Sequence, residues 1–141
     1  KSDAKPEYVK VSEDLDGRKT ETDFYSDCGV FVSTVMRYSG ADKKYPERGT
    51  YNQMPYLLKN SKGAGAKYTQ IKTTNTGDLR PGDILIFSTY AGGPGHVYMF
   101  TGKKGDKWNS RSASFHDHVP EASKAYFEQG GRRFSVFRLN S

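Results

Sequence analysis

Ile84-Leu85-Ile86-Phe87 is an unbroken apolar run, fed by the turn sequence Leu79-Arg80-Pro81-Gly82-Asp83. Four apolar residues without alternation leave no polar face for water, so a strand built from them belongs in the middle of a sheet. Pro followed by Gly marks the turn before it. Such a strand needs neighbours on both edges, and the sequence offers them. His96-Val97-Tyr98-Met99-Phe100-Thr101 follows the flexible loop Gly92-Gly93-Pro94-Gly95 and predicts a second strand. Lys103-Lys104-Gly105-Asp106 predicts a hairpin turn, with residues 107–114 returning as a third strand. Tyr68–Lys72 and Phe134–Leu139 predict two more strands, and Glu121–Gln129 a helical turn.

Upstream of these strands the apolar period changes. Cys28, Phe31, Val32, Val35 and Met36 fall at i, i+3, i+4, i+7 and i+8, one stripe of an α-helix. Ser26 or Asp27 can cap its start and Gly40 can end it. Residues 52–60 predict a second short helix, and Gly63-Ala64-Gly65-Ala66 breaks the pattern after it. Helices first and an antiparallel meander afterwards predict an α+β domain, with the helices packed on one face of the sheet.

The chain has 141 residues, which suits one domain. Only 34% are apolar, but ten Tyr and eight Phe supply enough buriable area for a core. Residues 1–20 are polar, with Pro6 and Asp16-Gly17, and read as a linker or N-terminal arm. Tyr8-Val9-Lys10-Val11 hints at a short strand within it. Residues 21–141 read as the domain proper. The first residue is Lys1, which fits a mature form or an excised domain.

The formal net charge is +6, so the surface favours polyanions: nucleic acid, anionic membrane or anionic cell-wall polymers. Lys and Arg cluster only in pairs such as Lys43-Lys44, Lys103-Lys104 and Arg132-Arg133. That is neither a basic arm nor a recognition helix, and nucleic acid is not expected as a partner. No apolar run is long enough to span a bilayer. His116-Asp117-His118 is too small a cluster for a zinc site, so neither a metal nor another cofactor is expected. Trp108 is assigned to packing.

Cys28 is the sole cysteine, which excludes an intramolecular disulfide. At the start of a helix a thiol feels the positive end of the helix dipole, and its pKa falls. First-turn N–H groups can also hold an oxyanion. Gly29 beside it lets a substrate backbone approach closely. A thiol nucleophile needs a base, and the base needs an orienting group. His96 opens a strand straight after a Gly-Pro-Gly loop, so its ring can stand at the rim of the sheet. If the helix packs across the sheet, Cys28 and His96 can meet.

These residues resemble a known family. Tyr25-Ser26-Asp27-Cys28-Gly29-Val30-Phe31-Val32 is similar to the Y-x-D-C-S-G-F-V nucleophile motif of NlpC/P60 cysteine peptidases. Leu79–Phe87 resembles their L-x-P-G-D-L-v-F-F segment, Gly95–Gly102 their H-V-G-I-Y-L-G base strand, and Ser112-Ala113-Ser114 their H-A-S turn. The four blocks stand in the family order and cover most of residues 22–116. The resemblance implies a papain-like fold, with N-terminal helices on a central antiparallel sheet. It implies a bacterial secreted or wall-associated enzyme, on its own or as a domain of a larger, phage or mobile-element protein. Its activity would be hydrolysis of an amide bond in peptidoglycan stem peptides, the family's usual bond joining D-Glu to the diamino acid. CHAP-type amidases and endopeptidases share the layout, and a non-catalytic wall-binding module could keep it. Cys28 is then the nucleophile and His96 the base. Tyr25 lines the substrate pocket, and Asp27 grips the free amine or backbone of the stem. Two positions depart from the pattern: Gly29 stands where the family has Ser, and Ser112 where a second His often orients the base. Ser112 is the expected orienting residue, with Asn109 next and His116, Asp117 and His118 nearby.

Overall fold

The structure is a computed structural model and describes residues 11, 28–46, 49–89, 95–102, 110–113, 120–123 and 126–140. Among the described residues the first elements after Val11 are two helices, α1 (Cys28–Tyr38) and α2 (Thr50–Lys59). Eight strands follow among the described residues: β1 (Tyr68–Ile71), β2 (Ile84–Ser88), β3 (Gly95–Phe100), β4 (Ser110–Ala113), β5 (Pro120–Ser123), β6 (Glu128–Gln129), β7 (Arg132–Arg133) and β8 (Ser135–Leu139). The described residues therefore form a mixed α+β structure, helices followed by an antiparallel sheet.

α1 forms where the period-3.6 stripe predicts it, and Phe31, Val32, Val35 and Met36 are all buried. Arg37 in its last turn suits the negative end of the helix dipole. α2 starts at Thr50, earlier than the predicted Asn52. Gly49, at φ +24°, bends the chain so that its carbonyl accepts the N–H groups of Asn52 and Gln53. Gln53 and Leu57, one turn apart, are its buried residues.

The main sheet has the order β1-β8-β2-β3-β4-β5, and every neighbouring pair is antiparallel. β2 lies between β8 and β3, as its apolar run requires. Alternation sends Ile84 and Ile86 into a cluster with Val97, Met99, Phe137 and the α1 stripe. Leu85 and Phe87 enter a second cluster on the other face, with Leu79, Tyr98, Phe100, Phe134 and Val136. Both helices thus cover one face, α1 against β3 and β4 and α2 against β2 and β3.

Three expectations change. The sheet is not a simple meander, because the last strand, β8, inserts between β1 and β2. Val136 and Phe137 are each buried, on opposite faces, so β8 needs an interior slot. β1 carries the exposed Thr69 and can hold the edge. Where the sequence predicts a helical turn over 121–129, residues 121–123 belong to β5 and residues 128–129 to β6. β6 pairs with β7 across Gly130 and Gly131, whose φ values of +58° and +79° suit a tight hairpin turn that most residues would strain to adopt. Val11, from the segment read as a strand, is helical and packs half-buried against the helix-side cluster.

Asp83 of the Pro-Gly-Asp turn is buried and ties this turn to β8. Arg138 Nε donates to its Oδ1 and Arg138 Nη2 to its Oδ2, both at 2.9 Å, and the Arg80 N–H reaches Oδ2 at 2.9 Å. A second carboxylate, Asp42, lies beyond the end of α1. Burial pushes its pKa up, but hydrogen bonds from Tyr68, Tyr56, Lys67 and the Lys44 N–H outweigh that and hold it below its usual value. Among the described residues no helix is long and apolar enough to cross a membrane.

Candidate active site

Cys28 is the first residue of α1, so its neighbouring N–H groups are the ones a helix leaves without internal partners. Gly29 follows it and is buried. The Gly29 carbonyl accepts a hydrogen bond from Gln53 Nε2 at 2.9 Å. Gln53 Oε1 in turn accepts the Tyr45 hydroxyl at 2.6 Å. Tyr45 and Gln53 are both fully buried.

His96 is the second residue of β3, opposite Phe87 of β2. It alternates with Val97 and so shares the face of Tyr98. Its ring centroid lies 6.1 Å from that of Tyr98, 6.3 Å from Tyr126 and 6.1 Å from Phe134. The Tyr98 hydroxyl accepts the Tyr126 N–H at 2.7 Å and donates to the Tyr126 carbonyl at 2.5 Å. This clamp stacks the two phenol rings at 4.9 Å. Burial among these rings pushes the His96 pKa down to about 4, so the imidazole is neutral at pH 7.

α1 packs on the face of Val97 and Met99, opposite the His96 ring. A meeting of Cys28 with His96 therefore has to run round the end of the sheet. The first turn of α2 stands at that end. A Cβ on Gly95 would lie 2.1 Å from Thr50 Oγ1 and 3.3 Å from the Phe87 carbonyl oxygen, so only glycine allows α2 to come this close. One turn further along α2, Gln53 reaches Gly29. Residues three apart on a helix lie about 5–6 Å apart. The residue after Cys28 and the residue before His96 thus dock on the same helical turn.

Ser112 lies in β4, opposite Glu121 of β5. On its other side β4 pairs with β3, Ser110 facing Phe100 and Arg111 facing Met99. Ser112 thus has the strand parity of Ser110. Tyr25, Asp27, Asn109, His116, Asp117 and His118 lie outside the described residues. Among the described residues no three of His, Cys, Asp and Glu gather as a metal set.

Sequence reading missed Tyr45, Thr50, Gln53, Tyr126 and Phe134. Gln53 alone left a local signal, a polar residue one turn before the apolar Leu57 on the inward stripe of a short helix. The aromatic surround of His96 left none, because Tyr126 and Phe134 arrive from a segment about 30–40 residues away in the chain.

No protein-family model matches the chain, and no curated protein matches it by sequence. Among solved structures it is similar to the crystal structure of a wild type endolysin, LysIME-EF1, with a TM-score of 0.55 at 18% sequence identity. The match covers 95% of this chain and 63% of that one, so this chain spans somewhat under two thirds of the endolysin's length. The likeness is one of fold: the chain is built like part of an endolysin.

Proposed function

We propose that the chain is a peptidoglycan hydrolase of the NlpC/P60 kind, cutting an amide bond in cell-wall stem peptides by a thiol mechanism. The observation that carries this reading is the docking of Gly29 and Gly95, the chain neighbours of Cys28 and His96, on one turn of α2. The four motif blocks in family order and the endolysin-like fold support it.

In this mechanism the Cys28 thiol loses its proton to the neutral His96 imidazole. The sulfur attacks the amide carbonyl, and first-turn N–H groups of α1 hold the oxyanion. The C–N bond breaks, His96 returns the proton to the leaving amine, and a thioester remains. Water, deprotonated by His96, then attacks the thioester and releases the acid and the free thiol. Ser112 is our choice for the group that orients His96. What supports it is strand parity: Ser112 has the parity of Ser110, whose partner Phe100 has the parity of His96. Tyr25 and Asp27 hold the stem peptide, and the favoured bond joins D-Glu to the diamino acid. The net charge of +6 draws the domain, residues 21–141, to anionic wall polymers.

The test is mass spectrometry of muropeptides released from purified sacculi. The chain should release cleaved stems. Cys28→Ala should fold and release none, and His96→Ala should lower turnover by about two orders of magnitude or more, the usual scale for losing a general base. A Cys28→Ala protein that digests wall at the wild-type rate overturns the reading.

A further inference from the structure

We propose that Gln53 is a positioning residue for the nucleophile, clamping the first turn of α1 through the Gly29 carbonyl. The proposal rests on Cys28 being that nucleophile. A fully buried amide is an expensive occupant of a core, because an unpaired amide loses its bonds to water on burial. Leu57, the next inward residue of α2, shows that the stripe accepts an apolar side chain. The amide is therefore explained by what it joins.

The Tyr45 hydroxyl donates to Gln53 Oε1, and this sets the orientation of the amide so that Nε2 faces the Gly29 carbonyl. Burial raises the Tyr45 pKa well above its ordinary value, so the hydroxyl stays a donor throughout the working range. Tyr45 is itself held from α1: its carbonyl accepts Arg37 Nη1 at 2.9 Å. Its N–H donates to the Asp42 carbonyl at 3.1 Å, and its ring meets the edge of Tyr56. The result is a brace running from Arg37 in the last turn of α1, through Tyr45 and Gln53, to Gly29 in the first turn. Loosening it lets the first turn rotate. The N–H groups that lower the Cys28 pKa and hold the oxyanion then lose their aim.

The experiment compares Gln53→Met, which keeps the length and removes both polar atoms, with Tyr45→Phe, which removes a single hydroxyl. The Cys28 thiol pKa is read from the pH dependence of iodoacetamide alkylation, and kcat and KM from turnover of purified muropeptides. In both variants the thiol pKa should rise toward that of free cysteine, about 8.5. In Gln53→Met kcat should fall about tenfold or more, with KM within about twofold, since misplaced reacting groups slow the chemistry rather than binding. Gln53→Glu should recover kcat relative to wild type as pH falls, because a protonated carboxyl again offers one acceptor and one donor. An unchanged thiol pKa and kcat in folded Gln53→Met overturns the proposal. If Gln53→Met does not fold, an unchanged thiol pKa in Tyr45→Phe overturns it. Failure of the underlying reading is a separate result, in which wild-type Cys28 alkylates like a free cysteine and no muropeptides appear.

Discussion

His96 sits among Tyr98, Tyr126 and Phe134, where an imidazolium loses solvent without gaining a countercharge from those rings. Its pKa of about 4, against an ordinary 6.5, has two consequences. The folded state binds fewer protons here than the unfolded chain, so the stabilisation from a neutral His96 is complete above pH 6.5. It is lost as pH falls from 6.5 through about 4, a change of at most about 3 kcal/mol at 1.36 kcal/mol per pKa unit. Urea midpoints of Cys28→Ala should therefore fall across that window, and the fall should shrink in the Cys28→Ala, His96→Phe double variant. A thiolate beside the ring would favour imidazolium and raise its pKa. NMR titration should then find His96 near 4 in the wild type and lower in Cys28→Ala. Equal values would mean that the thiol and the ring do not meet.

The junction of α2 with the start of β3 is where two elements bring their neighbours together. Gly95 leaves room for Thr50, and the contact that a Cβ would make with the Phe87 carbonyl is with backbone, which cannot swing aside. Gly95→Ala should destabilise the fold by about 1–3 kcal/mol, the usual range for overpacking, and lower kcat/KM by shifting the start of β3, and His96 with it, away from α2. Adding Thr50→Ala removes the tightest atom and should restore part of both losses, as read by urea unfolding and muropeptide turnover. At this scale much was legible. The α1 stripe and the β2 run are local patterns, and each formed the element expected of it. Of the stretch 121–129, expected as a helical turn, residues 128–129 pair as β6 instead, because the Gly130-Gly131 hairpin recruits them.

Across the whole molecule, the Asp83–Arg138 pair joins segments 55 residues apart and holds β8 in its slot beside β2. Arg138→Met should cost about 3 kcal/mol, because it leaves a buried carboxylate with its charge uncompensated. Adding Asp83→Asn should recover part of that by removing the charge. The check is the urea midpoint of each variant, and an Arg138→Met protein as stable as wild type would show that the pair does not hold the strand.

Patterns set by near neighbours were readable from the chain alone. The spacing of Phe31, Val32, Val35 and Met36 demands one buried helix face, the Ile84–Phe87 run demands a central strand, and Pro81-Gly82 demands the turn before it. Each depends on the geometry of a single segment. Tertiary structure alone decided that β8 enters between β1 and β2, a pairing that joins Gln70 to Phe137. It also decided that His96 faces away from α1 into aromatic rings, and that a glutamine of α2 reaches the turn that opens with Cys28. Those outcomes depend on which distant segments fill each face of the sheet. That competition is settled by burial over the whole core, and no local spacing records its result.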